Sequence, residues 1–197
     1  MNMFKSLSNA IANLSVQRKL IVLTLLSAIG VIAISVIAAR IQYLDVNKTR
    51  QGALDIRVQL ATSVLDHYLK QAQDGQMPLE EAQQQALDTL ATMHTDDNDN
   101  FFYVLDTSNT MLMHPLRKDL VGQNLKDYRT AHGDRLFHDQ LESVKHGDGY
   151  TTYHWAKPGH GDEPVLKMAY ARLYQPWQWV VATGVYMDDV QAQAILD

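Results

Sequence analysis

The chain has 197 residues, enough for one domain with a sizeable core and accessory helices. Its formal net charge is -5 and charged residues make up 20% of it, so it has no basic field to attract nucleic acid, which argues against a DNA or RNA partner. The sequence contains no cysteine, which is compatible with an oxidising compartment and does not establish one.

An apolar segment without a charged residue, residues 20–39, lies near the N-terminus. As a helix it is long enough to cross about 30 Å of hydrocarbon, which predicts a transmembrane helix. Lys5, Arg18 and Lys19 precede it with no acidic residue among them, so the positive-inside rule predicts a cytoplasmic N-terminus over residues 1–19 and an external location for the chain after Arg40. A cleaved signal peptide is the alternative, but its apolar core is normally about 7–15 residues long, so we favour an uncleaved anchor.

Residues 41–95 are predicted to form two helices. In the first, apolar residues recur at alternating spacings of four and three, and Gly75 is placed to end the helix. Its length suits mechanical coupling between an outer domain and the membrane; the simpler alternative, which periodicity alone favours, is that this seam packs on the domain's own sheet or in a dimer. The second helix begins close to Pro78. The seam comprises Leu54, Val58, Ala61, Leu65, Tyr68 and Ala72, and the apolar side of the second helix comprises Leu79, Ala82, Ala86, Leu90 and Met93.

The acidic run HTDDNDN separates these helices from the rest of the chain. Asp96, Asn98 and Asn100 stand at alternate positions, as the first ligands of a calcium-binding loop do. Phe101, however, stands where that loop needs glycine, and Thr107 stands where it needs a bidentate glutamate. An acidic connection between a helix and a strand explains the run equally well, so we do not favour a calcium site.

Short strands dominate the second half of the chain. Turn-bounded runs with short connections predict an antiparallel five-stranded sheet with the long helix across one side, which is an α+β fold. A short helix is predicted within residues 134–147, and a last helix is predicted to begin near Asp188 and Asp189. The predicted strands cover residues 101–106, 111–114, 150–155, 165–173 and 179–186.

Seven sequence blocks between about Asp96 and Val190 carry a resemblance to a known family. They are FFYVLD, MLMHP, VGQNLKD, HGDRLF, GYTTYHWAKPG, PVLKMAY and WQWVVATGVYMDDV. In order and spacing they resemble single Cache domains of type 2, the extracytoplasmic sensors of bacterial methyl-accepting chemotaxis proteins and of some histidine kinases. The resemblance implies a PAS-like sheet over residues 96–190 that binds a small organic acid such as acetate, propionate, pyruvate or lactate.

The same resemblance implies a receptor in the inner membrane, with its sensor in the periplasm or outside the cell and with ligand-driven movement of the membrane-proximal helices. A homodimer is expected. Residues 191–197 are then expected to start a C-terminal helix toward a second membrane span, which is absent from this chain, as is the region through which such receptors contact cytoplasmic signalling proteins. A membrane-anchored structural or interaction domain without a small-molecule ligand is the alternative.

Lys167 stands in the apolar run PVLKMAY. Strand alternation places Lys167 and Ala169 on one face and Tyr170 on the other, so a bulge or sheet twist would be needed to bring Lys167 and Tyr170 into one pocket. By residue type alone, a strand lysine is more often solvated, with its stem over the sheet. The resemblance implies the opposite, because lysine at this position lines the family's ligand cavity, where a ligand carboxylate would be its counter-charge.

Further candidates for ligand binding lie on the strands and on the loop that, by the resemblance, covers the cavity. A neutral histidine can donate to a carboxylate, aromatic walls with phenolic donors suit a small acid, and a loop arginine can clamp a carboxylate with two parallel bonds. Each type also has an ordinary structural use: a strand-end histidine satisfies a carbonyl, an aromatic fills the core, and a loop arginine is solvated. With Lys167 and Tyr170, the candidates are His114, Tyr103, Tyr153, Trp155, Arg117 and Arg129.

Motifs for metal binding and catalysis are missing from the sequence. The eight histidines form no H-E-x-x-H pattern and have no cysteine companion, so we expect no metal. The chain also lacks a G-x-S-x-G elbow, a P-loop and a G-x-G-x-x-G turn. We therefore expect a protein without a cofactor and without enzyme activity.

Overall fold

A computed structural model of the chain describes residues 15–95, 100–159, 161 and 163–188. The chain divides into two compact units, Met1–Lys48 and Thr49–Asp197. Three of the sequence predictions fall outside the described residues. They concern Lys5 before the apolar segment, the acidic residues at positions 96–99, and the C-terminal helix beyond residue 188.

The first helix, α1 (Val16–Gln73), carries both the apolar segment and the predicted seam. Its apolar part is long and apolar enough to cross a membrane, and none of that part is buried within the described structure. The helix ends where the sequence predicted, because Gly75 adopts a left-handed conformation with a φ of 73°. The amide of Gln76 there donates to the carbonyl of Gln71 over 2.9 Å, which closes the last turn.

The seam of α1 is buried inside the domain. Four of its six residues, Leu54, Val58, Ala61 and Leu65, have no exposed surface, as the periodicity predicted for a helix lying on its own sheet, and the last two, Tyr68 and Ala72, are only partly buried. The four buried side chains are therefore not open to a partner protein, so an interaction domain that recruits its partner through this seam is not supported.

The second helix, α2 (Leu79–Thr92), packs beside the seam through Ala82, Ala86 and Leu90, which are fully buried. One prediction for this helix was wrong: Leu79 is 51% exposed. It is the first residue of the helix, and α2 reaches the core only from Ala82 onward.

Five strands form one sheet in which every neighbouring pair is antiparallel, so the predicted α+β fold is confirmed. The order across the sheet is β2-β1-β5-β4-β3, which puts the first hairpin and the last two strands side by side. A register shift between Val104 and Leu105 interrupts the pairing of the first two strands. The strands are β1 (Phe102–Asp106), β2 (Met111–Met113), β3 (Tyr150–Ala156), β4 (Pro164–Tyr174) and β5 (Trp179–Tyr186).

The sheet has a core on each face. On the helix face, Val104 and Val181 pack with Leu65 of α1 and Leu90 of α2. The other face is covered by the loop after β2 and by a third helix, α3 (Leu136–His146), and we call it the loop face. Its core includes Tyr103, Leu105, Leu120, Leu125, Phe137, Leu141, Tyr153, Ala169, Ala171, Val180 and Ala182.

Local backbone hydrogen bonds hold α3 and the loop after β2 in place over the loop face. Gly147 ends α3 with a φ of 91°, and its amide donates to the carbonyls of Ser143 and Val144. Phe137 and Leu141 of α3 are buried against this face. The loop itself is held to the hairpin, because the amide of Met111 donates to the carbonyl of Gln123.

Candidate functional site

Small side chains form the floor of the loop face at the centre of the sheet. Ala169 and Ala171 on β4 face Gly184 and Ala182 on β5, their cross-strand partners. A Cβ atom built on Gly184 would lie 2.8 Å from the carbonyl oxygen of Met168 and 3.0 Å from Cε of Lys167. The glycine therefore leaves room for the stem of the lysine to run across the sheet.

Lys167 is buried on this face, with 1% of its surface exposed. Its cross-strand partners are Tyr153 on β3 and Tyr186 on β5, so the side chains of these three residues lie in one row across the sheet. Its Nζ atom lies 4.1 Å from the ring centroid of Phe101 and 4.3 Å from that of Tyr186, within the range of cation–π interactions. The solvated lysine that residue type alone favours is therefore wrong for this position.

A chain of hydroxyl and amide groups continues from Lys167 toward α3. Tyr103 donates a 2.6 Å hydrogen bond to Oε1 of Gln140, which is completely buried. Burial raises the pKa of Tyr103 to about 12. Burial and the neighbouring Tyr103 raise the pKa of Tyr153 well above its usual value. Both phenols are thus neutral near neutral pH, and Tyr103, whose one proton is donated to Gln140, is left as an acceptor.

His114 lies beside Tyr103 on the loop face, and 4% of its surface is exposed. Its Nδ1 atom accepts hydrogen bonds from the amides of Leu116 at 3.2 Å and Arg117 at 3.0 Å. Because Nδ1 is an acceptor, the proton of the neutral ring lies on Nε2, which is then a donor. The ring is stacked on Tyr103, with 5.9 Å between centroids. Burial, followed by the charges of Lys167 and Arg117, lowers the pKa of His114 from 6.5 to about 3.

The buried neutral state of His114 predicts a loss of stability in mild acid. The folded-state pKa of about 3 lies below the unfolded value of 6.5, so the unfolded chain takes up a proton that the folded chain excludes. Stability from this source is full above pH 6.5 and falls as the pH drops toward 3. At about 1.4 kcal/mol per pH unit, the loss from this histidine should be roughly 2 kcal/mol at pH 5.

The matched variant for this prediction is His114→Asn, whose side-chain oxygen can replace Nδ1 as the acceptor and does not titrate. Chemical denaturation of both proteins at pH 7 and pH 5 measures the effect. We expect the wild type to lose more stability than His114→Asn over this interval; equal losses in the two proteins would contradict the assignment.

Trp155 and Arg117 lie at the outer edge of the site. The guanidinium carbon of Arg117 is 5.7 Å from the ring centroid of Trp155, and Trp155 is 6.3 Å from Tyr128 between centroids. Arg117 also donates to both carboxylate oxygens of Asp119, at 2.8 and 2.6 Å. These three rim residues, Arg117, Tyr128 and Trp155, line a surface pocket of about 250 Å³ together with Lys157.

Two of the candidates are not brought to this site. Tyr170 lies on the helix face, where its ring is 4.5 Å from that of Tyr150, and the hydroxyl of Tyr150 donates to the carbonyl of Gln51 in α1. Strand alternation had favoured this outcome, and the pairing of β4 contains no bulge that would reverse it. Arg129 is exposed and donates to the carbonyl of Gly133 at 3.1 Å.

The structure adds residues that were not predicted from the sequence. Gln140, Gly184 and Tyr186 surround the predicted group, and Phe101 contacts the Lys167 head. Strand parity could have found Tyr186, because Ala182, Gly184 and Tyr186 alternate along β5. Among the residues that the structure describes, no three histidine or acidic side chains are arranged to hold a metal ion.

The family described as Single Cache domain 2 has a sequence model that matches residues 46–196. The methyl-accepting chemotaxis protein McpP of Pseudomonas putida is 31% identical over 186 residues, which cover 94% of this chain and 34% of that protein. The sensor histidine kinase MctS of Rhizobium johnstonii is 32% identical over 115 residues, covering 58% of this chain and 25% of MctS. This chain thus spans about a third or less of the length of these two relatives.

Solved structures give a similar result. One, described as the structural basis for carboxylic acid recognition by a Cache chemosensory domain, has a TM-score of 0.67 and 34% identity, and the match covers 73% of this chain and 97% of that one. A second, described as the periplasmic sensor domain of a chemotaxis protein, has a TM-score of 0.65 and 35% identity, covering 71% and 96% of the two chains.

Proposed function

The chain belongs to the single Cache domain 2 family, and on that basis we propose that it is the extracytoplasmic sensor region of a bacterial chemoreceptor that binds a small organic acid. The acids we propose are those of the acetate, propionate, pyruvate and lactate class. The name of McpP supports the chemotaxis role, and the carboxylic acid recognition stated for one similar structure supports the ligand class.

The observation that carries this proposal is the buried ammonium group of Lys167 on an aromatic face of the sheet. An ammonium has only donors, so a carboxylate is the ligand group that matches it, through short charge-assisted hydrogen bonds. The Nε2 proton of His114 and the hydroxyl of Tyr153 are neutral donors for the second oxygen. Aromatic rings around them suit the methyl or methylene part of a small acid.

A thermal-shift screen of the full chain in an uncharged detergent tests the proposal. A carboxylate at a hundredfold its dissociation constant adds about 2.7 kcal/mol to stability, which corresponds to a rise in Tm of roughly 5–10 °C for a domain of this size. Acetamide and propionamide are the matched controls, because they keep the shape of the acids and lack the charge. A shift with the amides as large as with the acids, or no shift with any small acid, would refute carboxylate recognition.

Signal transmission through α1 is part of the same proposal. This helix carries the apolar segment and also the seam residues buried against the sheet, so a movement of the sheet on binding has a route into α1. Signalling further requires that the ligand bind two states with different affinity. A homodimer anchored in the inner membrane, with the sensor in the periplasm or outside the cell, remains our prediction for the receptor.

The sensor region of a histidine kinase is the second candidate, and the similarity to MctS favours it. Both candidates use the same ligand chemistry and differ in the output of the whole protein. The sequence of the whole protein decides between them, because it shows which output is encoded.

A further inference from the structure

A second concave site lies between α1 and the end of β5, and it shares Tyr186 with the surroundings of Lys167. It has a volume of about 280 Å³ and is lined by Thr49, Arg50, Ala53 and Arg57 of α1 together with Asn100, Val185 and Tyr186. Arg50 and Arg57 are seven residues apart, so they lie on the same side of the helix, separated by roughly 10 Å along its axis. Ala53 between them is small and leaves the space open.

Neither arginine has an acidic partner in the part of the chain that the structure describes. Arg57 donates to the amide oxygen of Asn100 at 2.6 Å, and Arg50 donates to the thioether sulfur of Met187 at 3.0 Å. A thioether is a weak acceptor, so an oxyanion would replace it readily. Both arginines are only partly exposed, which strengthens their attraction for an anion relative to a fully solvated pair.

The lack of an acidic partner for Arg50 and Arg57 among the described residues is not explained by a scarcity of acidic residues in the chain. The chain has 22 acidic and 17 basic residues, yet Asp55, the acid nearest to Arg57 along the helix, accepts a hydrogen bond from Gln59 at 2.9 Å. Arg117 on the loop, in contrast, is paired with Asp119. As far as the described residues go, the two guanidinium groups at this pocket therefore keep donors available for an added anion.

We propose that the Arg50–Arg57 pocket binds a phosphate group, either free inorganic phosphate or the phosphate of an anionic lipid headgroup. A carboxylate presents one edge with two oxygens and matches one guanidinium, whereas a phosphate presents oxygens in several directions and accepts donors from both. Asn100 and Thr49 add neutral polar groups to the lining. The inference does not depend on the proposed function, since neither arginine is assigned to carboxylate recognition.

The test uses the full chain, because three acidic residues just before Asn100 in sequence could compete with the added anion. They are Asp96, Asp97 and Asp99, which lie outside the described residues. In one arm, sodium phosphate is titrated at constant ionic strength into protein in an uncharged detergent, with chloride as the control salt, and Tm is recorded. In the other, the protein is placed in phosphatidylcholine nanodiscs with and without phosphatidylglycerol. The variants are Arg50→Gln, Arg57→Gln and, as the matched control, the exposed Arg172→Gln.

For the wild type we expect a saturable rise in Tm of at least about 2 °C in one arm or both. Arg50→Gln and Arg57→Gln should each weaken the apparent affinity at least tenfold, and Arg172→Gln should leave it unchanged. A shift with phosphate in detergent identifies free phosphate as a ligand, and a shift seen only with phosphatidylglycerol identifies the headgroup. No saturable shift in either arm, or a shift that persists in both arginine variants, overturns the proposal. The shift must also survive in Lys167→Met, because its loss there would place the anion at the Lys167 site instead.

Discussion

Replacement of Lys167 by methionine is expected to weaken the binding of a small carboxylate by about 2–5 kcal/mol, or roughly thirtyfold to several-thousandfold in Kd. Methionine keeps a stem of similar length and removes the charge, so the ligand carboxylate loses its charge-assisted donor inside the domain. Isothermal titration of the wild type and of Lys167→Met with the acid that gives the largest thermal shift measures the difference.

The same substitution should leave the empty domain as stable as the wild type, or make it more stable. Burial of an ammonium group costs free energy, and the methionine sulfur makes favourable contacts with the rings of Phe101 and Tyr186, which lie near Nζ in the wild type. Lys126→Met is the matched control, because Lys126 is exposed and the change in composition is identical. If Lys167→Met binds the acid as tightly as Lys126→Met does, the carboxylate is held elsewhere and Arg117 is the next residue to test.

A single methyl group added at Gly184 is expected to destabilise the domain by about 1–3 kcal/mol and to weaken acid binding at least tenfold. The new Cβ would meet the carbonyl oxygen of Met168 at 2.8 Å and Cε of Lys167 at 3.0 Å, so a strand or the lysine stem must move. Chemical denaturation followed by tryptophan fluorescence measures the stability of Gly184→Ala, and titration with the acid measures its affinity.

Gly52→Ala is the matched control for the Gly184 experiment. Gly52 lies in α1, a Cβ there would have no atom within 4 Å, and its backbone is helical. This variant should gain up to about 1 kcal/mol, because alanine is the better helix former. If Gly184→Ala kept wild-type stability and affinity, the close approach between β4 and β5 would not constrain the position of the lysine stem.

The strands and the seam of α1 could be predicted because their signals are local. Alternation and turn residues located all five strands to within one residue of their observed ends. Spacings of three and four identified Leu54, Val58, Ala61 and Leu65 as the buried stripe of α1. Local signals are weaker at helix ends, where a residue such as Leu79 fits the periodicity yet starts the helix before it reaches the core.

The site could be predicted only in part, because it is assembled by pairing between distant strands. Strand alternation correctly separated Lys167 from Tyr170, and the inclusion of both in one binding site is not supported by their positions on opposite faces. Gly184 and Gln140 were missed for a physical reason. The register that brings Gly184 beside the lysine stem, and the packing of α3 that brings Gln140 to Tyr103, depend on contacts between segments far apart in sequence.

A crystal structure of the protein with a small organic acid bound tests the central claim most directly. We predict that one carboxylate oxygen lies within about 2.7–3.2 Å of Nζ of Lys167, on the loop face of the sheet, with His114 or Tyr153 donating to the other oxygen. A carboxylate bound more than about 4 Å from that nitrogen, for example against Arg117 at the rim, would contradict the claim that Lys167 recognises the acid.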